Sequence, residues 1–360
     1  MVTLLKILSF IFVIGNIESI ICILNILLKF VRLKLSSSVF VFVVGFVLVS
    51  FWSCGNTLDK HHTSKGSKEI VFIAGKQSHD YGAHEHRAGC ELLARLLEEN
   101  TENIVTRVYS GGWPEEEDAF EHADAIVIFS DGGEGHIVIP HLATLNEYMK
   151  LGVGLGVIHY ALVVSAGEPG NYFLDWIGGY YETYWSVNPM WRAQFERIPW
   201  HEVSNGVKPF EIVDEWYYHM RFSDRGNIIP VLSALPPVSS LDREDGPYSN
   251  NPYVRDAVIE RREPQHLMWL FERAGMPGRG FGHTGCHYHW EWGHPSFRTL
   301  VLNAILWIAG VEVPETGVPT PVLKIEDLEI NQDYKQPDDF DRKGMIRQLE
   351  LWQAGHDNKP

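Results

Sequence analysis

The sequence predicts an α/β domain with a mainly parallel central sheet, beginning near residue 68. Short apolar runs alternate with amphipathic stretches from that point, which is the pattern of βαβ units. A strong amphipathic helix at 295–309, stopped by Gly310, closes the pattern. Polar residues cluster directly after several apolar runs, where a doubly wound sheet binds its ligands. These three observations together favour a sheet covered by helices on both faces.

The elements follow in order from the apolar periodicity. Apolar side chains in residues 84–100 recur at helical spacing, whereas the run at 69–74 is short and continuous, as expected for a buried strand. The predicted strands of the first half are 69–74, 104–109, 125–129 and 154–158, and the predicted helices are 84–100, 113–122 and 140–151. Strand-like stretches follow at 195–198, 210–213, 228–232 and 267–271, and a last strand is predicted at 280–284. Residues 235–265 are rich in Pro, Asp, Asn and Arg and predict a long loop.

Residues 1–53 are apolar and predict a signal or membrane anchor rather than part of the fold. Basic residues precede the apolar run 39–52, and Cys54 follows it, as in a bacterial lipoprotein signal in which Cys54 is lipidated. An uncleaved membrane anchor is the alternative, and residues 1–30 are either a helix or sequence upstream of the true start. Both alternatives predict a protein of the cell envelope, attached to the membrane through residues 54–67 as a tether.

The predicted domain spans 68–310, and residues 311–360 form a polar tail that is either packed on the domain or loosely tethered to it. The net charge of −16 argues against a nucleic-acid partner, because proteins that bind phosphate backbones carry basic patches. Four scattered cysteines are too few for a disulfide framework.

Polar residues after four predicted strands are the candidates for a functional site. Asp131 follows the third strand in SDGGEGH, and His159 and Tyr160 follow the fourth. Carboxyl ends of parallel strands lie at one edge of a sheet, so these groups should converge. A group of neighbouring histidines and acids follows the first strand: His79, Asp80, His84, Glu85 and His86.

The stretch 278–293, GRGFGHTGCHYHWEWG, contains three histidines in seven residues. On a strand, His287 and His289 would face the same side and Cys286 the other, so the two histidines could hold a metal or grip sugar hydroxyls. Trp290 next to them is a candidate for stacking on a sugar. Glu215 and Tyr217, in the acidic and aromatic stretch DEWYYH, are further candidates for sugar binding.

Several stretches resemble the ThuA-like (trehalose utilisation) family, in the same order along residues 68–310. They are EIVFIAGKQSHDYGAHEHRAGCELLARLL, IVIFSDGGEGH, GVGLGVIHYA, DEWYYHMRF and GRGFGHTGCHYHWEWGHPSFRTLVLNAILWIAG. The resemblance implies a flavodoxin-like three-layer sandwich similar to class I glutamine amidotransferases. It also implies a role in sugar catabolism, often on oxidised (3-keto) glycosides and beside a sugar dehydrogenase of the same pathway.

The amidotransferases carry a cysteine nucleophile on the turn after the fourth strand, where this chain has His159. Neither Cys90 nor Cys286 falls at that position, so the chain is not expected to be an active glutamine amidotransferase. The pair His289 and Glu291 is similar to the His-x-Glu of those enzymes, but it has no nucleophile to serve. Family members commonly have Asn at the position of Glu291.

The favoured hypothesis is an exported enzyme that acts on a glycoside or sugar, as a hydrolase, lyase or isomerase. Its catalytic groups would be His79, His159, His287 and His289, which act as acids and bases or hold a divalent transition metal such as zinc. His79, His159 and His287 are the predicted metal ligands. The predicted substrate-binding residues are Asp131, Tyr160, Glu215, Tyr217 and Trp290. The alternative is a sugar-binding lipoprotein without catalytic activity.

Overall fold

The computed structural model describes residues 66–358, and a seven-stranded sheet forms the centre of this part of the chain. Its strands are β1 (Lys68–Ala74), β2 (Ile104–Ser110), β3 (Ala123–Phe129), β4 (Gly154–Ile158), β9 (Asn227–Ala234), β10 (Gln265–Glu272) and β11 (Arg279–His283). They lie in the order β2-β1-β3-β4-β11-β10-β9. The first five of that order pair in parallel, and β10 is antiparallel to both of its neighbours. The predicted α/β class with a mainly parallel sheet is therefore confirmed.

Two short two-stranded sheets stand beside the main one. They pair β5 (Gly179–Tyr180) with β8 (Arg221–Phe222), and β6 (Trp191–Phe195) with β7 (Phe210–Asp214). The strand predicted at 195–198 is shifted towards the N-terminus, because alternate residues of β6 face the core from Trp191 onwards. The hairpin β6–β7 ends at Asp214, directly before Glu215.

Helices cover both faces of the sheet and make the sandwich. The helices are α1 (His86–Asn100), α2 (Leu142–Lys150), α3 (Glu168–Trp176), α4 (Pro252–Arg255), α5 (Pro295–Ile308), α6 (Ile325–Leu328) and α7 (Arg342–Asp357). Apolar residues of α1 and α5 pack on one face, and those of α2 and α3 pack on the other. Every residue of α5 is buried, so this helix is wholly inside the core rather than half-exposed as its amphipathic pattern suggests.

The helix predicted at 113–122 is absent from the structure. That segment forms turns, with its acidic side chains exposed. Trp113 stacks on His141 at a ring-centroid distance of 4.3 Å and meets Phe120 edge-on at 5.1 Å. Four consecutive acids would repel one another in a helical turn. The ring contacts instead stabilise the segment in a non-helical conformation.

The segment after α5 packs on the domain, which decides between the two alternatives for residues 311–360. Phe340 stacks on Trp290 with ring centroids 5.0 Å apart, and Leu349 is buried. The backbone N–H of Asp333 donates to Glu85 Oε2 at 2.7 Å. This segment ends in the helix α7, which the polar composition of the tail did not predict.

The predicted signal or anchor in residues 1–53, the lipidation candidate Cys54 and most of the tether at 54–67 lie outside the described residues. Within 66–358, no helix has the length and apolarity that crossing a bilayer requires.

Candidate functional site: a histidine and carboxylate cluster

The candidate site lies at the carboxyl ends of the parallel strands, where loops from distant parts of the chain meet. The loop after β1 brings His84, the turn after β4 brings His159, and the loop after β11 brings His287. Glu215 arrives from the end of the separate hairpin β6–β7. These residues are far apart in the sequence, and the sheet topology brings their side chains together.

Four side-chain atoms converge in this cluster. His84 Nε2 lies 3.1 Å from His159 Nε2 and 3.1 Å from His287 Nδ1. Glu215 Oε2 lies 3.2 Å from His287 Nδ1 and 3.6 Å from His159 Nε2. All four atoms lie within 4.8 Å of one another.

Hydrogen bonds on the far side of two rings fix which nitrogen faces the centre as an acceptor. His159 Nδ1 donates to the carbonyl of Thr284 at 2.8 Å, and His84 Nδ1 donates to Asp131 Oδ1 at 2.9 Å. In the neutral ring, the nitrogen opposite a donating N–H carries a lone pair. The Nε2 lone pairs of His84 and His159 therefore point at each other, an arrangement that a shared cation stabilises.

The charges of the site follow from burial and from these contacts. Burial lowers the pKa of His84 to about 2, so this ring is neutral at pH 7 and able to act as a ligand. Burial alone would raise the pKa of Glu215, but the neighbouring imidazoles of His159 and His287 lower it below its usual range. Asp131 behaves similarly: against the effect of burial, the hydrogen bond from His84 lowers its pKa to about 2.

The spacing and chemistry of the four atoms fit a bound metal ion. A tetrahedral ion with bonds of about 2.0–2.1 Å separates its ligand atoms by roughly 3.3 Å, close to the four distances given above, while the other two distances are within 4.8 Å. Histidine and carboxylate ligands suit transition metals better than calcium or magnesium. The residues of this cluster could therefore hold a metal ion.

His79 lies at the outer side of the cluster. Its ring contacts that of His84 at a tilt of 31° with centroids 3.6 Å apart, and its Nδ1 is 4.0 Å from Asp131 Oδ1. Burial lowers its pKa below the ordinary value, so the ring is neutral at pH 7. Its side chain is 41% exposed, so a ligand can reach it.

Three of the site histidines have backbone conformations that L-residues rarely adopt. The φ angles of His79, His84 and His159 are +57°, +50° and +56°. Such left-handed residues cost free energy and concentrate at functional sites. The hydrogen bonds and ring contacts described above stabilise these three residues in their left-handed conformations.

The structure brings together most of the residues predicted for the site. Tyr217 Oη lies 3.3 Å from His159 Nε2, and the Tyr160 ring centroid lies 5.8 Å from that of His84. The predicted residues found together are His79, Asp131, His159, Tyr160, Glu215, Tyr217 and His287. Glu215 was predicted to bind substrate, and its position among the three imidazoles also makes it a candidate metal ligand.

Two predicted residues lie elsewhere. His289 is in the 3₁₀ turn His289–Gly293 and not on a strand, so it does not share a face with His287. It is buried towards Leu328, and burial lowers its pKa to about 4. Trp290 packs between Tyr81 and Phe340 and contributes to the core. The strand β11 ends at His283, because the loop turns at Cys286 with φ +85°.

His84 is the residue that the sequence prediction did not select, although it was noted among the polar residues after the first strand. The indication in the sequence was its position two residues before helix α1, where a side chain can point back over the strand ends. The predicted metal group of His79, His159 and His287 becomes His84, His159, His287 and Glu215 in the structure, with His79 in a second group formed with His84 and Asp131.

Within the described residues, neither cysteine is placed for nucleophilic catalysis. Cys90 and Cys286 are buried, and burial raises the pKa of both thiols. The turn after β4 carries His159 instead. Glu291 is buried beside Asp214 outside the cluster, and burial raises its pKa.

Comparisons with known proteins identify relatives of the domain. The model of the ThuA family, described as trehalose utilisation, matches residues 71–308. A ThuA-like protein from Bacteroides uniformis is 11% identical, with a TM-score of 0.46, and the match covers 69% of this chain and 94% of that one. A ThuA-like protein from Parabacteroides merdae is 14% identical, with a TM-score of 0.44, covering 76% and 95%. No curated protein matches the chain significantly.

Proposed function

Because the chain belongs to the ThuA family, described as trehalose utilisation, we propose that it is a metal-dependent enzyme acting on a sugar or glycoside. The observation that carries this proposal is the convergence of His84, His159, His287 and Glu215 on one point. Zinc is the proposed ion, since three imidazoles and one carboxylate are ligands it accepts readily. A 3-keto glycoside is the proposed substrate.

A bound divalent ion would polarise a carbonyl or hydroxyl oxygen of the sugar. His79 is the proposed general base, because its ring is neutral, partly exposed and outside the group of four ligands. In a 3-keto sugar it would take the acidic proton on the carbon between the carbonyl and the anomeric carbon. In an elimination, the electron pair of that C–H bond would form a carbon–carbon double bond while the glycosidic C–O bond breaks, and the leaving oxygen would take up a proton. In an isomerisation, the proton would instead be returned to a different atom of the enolate. Asp131 stabilises the charge that His79 gains, since its Oδ1 lies 4.0 Å from His79 Nδ1.

The remaining groups orient the reactants. Tyr217 is completely buried, and burial raises its pKa, so it presents a phenol O–H at neutral pH. This hydroxyl, 3.3 Å from His159 Nε2, can donate to a substrate oxygen at the cluster. Asn188 Nδ2 donates to Glu215 Oε1 at 3.0 Å and leaves Oε2 directed at the histidines.

Metal analysis of the purified protein tests the ligand assignment. We expect about one transition-metal ion per chain, and its loss in H84Q, H159Q and H287Q. His122 is exposed on a turn away from the cluster, so H122Q is the matched control and should keep the ion. Full activity in the presence of chelator, with no ion bound, would show that the metal assignment is wrong.

The variant H79Q tests the base assignment separately. It should retain the metal but lose about 10²–10⁴-fold in turnover of oxidised glycosides, the usual contribution of a general base. The rival function, sugar binding without catalysis, predicts that the wild-type protein binds such glycosides but yields no product. A product screen by mass spectrometry separates the two.

Export and attachment to the membrane through Cys54 are also part of the proposal, supported by the apolar run before Cys54. Fractionation of cells should find the wild-type protein in the membrane fraction and C54A released from it. Retention of C54A in the membrane would favour an uncleaved anchor instead.

A further inference from the structure

We propose that an anion subsite centred on Arg243 lies beside the histidine cluster, and that the substrate carries a carboxylate or phosphate group. This inference rests on the proposed function, since it names the substrate class of the same site. The residues that carry it are Arg243, Asn188, Tyr160, Tyr181 and Tyr248.

Arg243 is held next to the cluster by a hydrogen-bonded side chain. Its Nη1 donates to Asn188 Oδ1 at 3.3 Å, and Asn188 Nδ2 donates to Glu215 Oε1 at 3.0 Å. One amide therefore separates the guanidinium from a proposed metal ligand. The arginine itself is exposed and reachable by a ligand.

No carboxylate within residues 66–358 pairs with Arg243, although acids surround it in the sequence. Asp242, Glu244 and Asp245 are its neighbours along the chain, and Asp245 pairs with Arg255 instead. Its guanidinium is therefore not neutralised by a carboxylate of the described chain, although the net charge of the protein is −16. A guanidinium presents paired N–H donors that match carboxylate and phosphate oxygens.

Phenol hydroxyls add further donors on the same side. The Tyr181 ring stacks on Tyr248 with centroids 5.8 Å apart, and its buried hydroxyl has no hydrogen-bond partner in the described part of the chain. The carbonyl of Tyr248 accepts the backbone N–H of Asn188 at 3.0 Å, so both tyrosines lie near the amide that binds Arg243. A buried hydroxyl without a partner is costly, and a ligand oxygen would supply one.

Tyr160 contributes a phenol hydroxyl beside the turn after β3. Its hydroxyl and that of Tyr248 both lie near Gly133, at 3.6 Å and 4.0 Å from the position that a Cβ would take there. Gly133 has φ +72°, which only glycine adopts at little cost. The absence of a side chain leaves the two hydroxyls room beside the cluster.

The charge balance favours an anionic ligand. Asp131 and Glu215 contribute two negative charges to the cluster, which a divalent ion would neutralise. Arg243 then provides a positive charge beside the cluster that can attract an anion into an otherwise acidic protein. A neutral sugar would gain hydroxyl contacts here but would leave the guanidinium without a charged partner.

Calorimetric titration of the metal-loaded full-length protein tests the inference. The probes are glucuronate, glucose 6-phosphate and inorganic phosphate, with glucose as the neutral control. We expect glucuronate or glucose 6-phosphate to bind at least about tenfold more tightly than glucose, the usual effect of a charge-assisted hydrogen bond. The better of the two identifies the anionic group, and tighter binding of either sugar than of inorganic phosphate shows that the sugar also contributes.

The variant R243Q should abolish the preference for the charged sugars while keeping the metal content and the affinity for glucose. R95Q is the matched control, since Arg95 is a partly exposed arginine on α1 that pairs with Glu99. Equal binding of charged and neutral sugars by the wild type would overturn the inference. Anion binding that survives R243Q but disappears on metal removal would also overturn it, because the anion would then bind the metal. A failure of the metal proposal would instead appear in the metal content.

Discussion

Asp214 connects two loops that carry candidate metal ligands. It is the completely buried last residue of β7, and its carboxylate accepts three backbone N–H groups. The donors are Glu215 at 2.7 Å, Cys286 at 2.6 Å and His287 at 3.2 Å. This one side chain therefore fixes the hairpin β6–β7 against the loop after β11, and with it the distance between Glu215 and His287.

Replacement of Asp214 by Asn should weaken both stability and metal binding. One oxygen becomes an NH₂ group that faces N–H donors, so we expect a loss of about 2–4 kcal/mol in the free energy of unfolding. Metal affinity should fall about 10–100-fold, as for other residues that orient ligands. Urea unfolding and competition with a chelating dye measure the two effects. E211Q, on the exposed face of the same strand, is the control, and unchanged metal affinity in D214N would contradict the positioning role.

At the scale of the elements, the turn after β3 contains a histidine that must stay neutral. His136 is buried, its Nε2–H donates to the carbonyl of Ala161 at 2.8 Å, and its Nδ1 accepts from the N–H of Val138 at 3.1 Å. Burial lowers its pKa from 6.5 to about 4. A proton on Nδ1 would break the bond from Val138, so the neutral ring holds the turn after β3 against the turn after β4.

The pH dependence of stability should report this histidine. Below pH 6.5, His136 binds a proton in the unfolded chain but stays neutral in the folded chain. The free energy of unfolding therefore falls as the pH decreases from 6.5 towards 4. Gln can donate and accept in similar directions but does not titrate. The wild type should therefore have a larger free energy of unfolding than H136Q at pH 7, and this difference should decrease by up to about 2 kcal/mol at pH 5. Unfolding curves at both pH values measure the change, H122Q serves as the exposed control, and a constant difference would show that His136 does not behave as a buried neutral group.

At the scale of the whole molecule, residues 311–358 contact two segments that carry site residues. These are the loop after β1, which contains His84, and the loop after β11, which contains His287. Glu85, next to His84, accepts the N–H of Gly82 at 3.0 Å and that of Asp333 at 2.7 Å. Phe340 packs on Tyr81 and on Trp290, with ring centroids 5.2 Å and 5.0 Å apart. The polar composition of this segment does not predict such a role, because few apolar side chains make the contacts.

Removal of the Phe340 ring should therefore affect both the stability of the domain and metal binding at the site. We expect F340A to lose about 1–3 kcal/mol in the free energy of unfolding, less than a fully buried Phe would cost, and to weaken metal binding modestly. Denaturant unfolding and metal titration measure both quantities. V322A removes an exposed side chain of the same segment and should change neither. Unaltered stability in F340A would mean that the segment does not support the domain.

The periodicity of the sequence was sufficient for the main sheet strands and for the helices α1, α2 and α5. Gly154–Ile158 was predicted with its exact bounds, because a buried parallel strand is a continuous apolar run between glycines and turns. The placement of His79, Asp131, His159 and His287 at one sheet edge also followed from the sequence, since carboxyl ends of parallel strands coincide. Segments whose shape depends on distant packing, such as 113–122 and α7, were not predictable in this way.

The sequence by itself determined the fold class, the family resemblance and most of the candidate groups. Only the tertiary structure selected His84 and Glu215 as companions of His159 and His287 and excluded His289. The physical reason is that local spacing governs which face a side chain takes within an element, whereas these side chains lie in turns with left-handed backbone or at the end of a separate hairpin. Their directions are set by hydrogen bonds to Thr284, Asp131 and Asp214, which are distant in sequence and meet only in the folded chain.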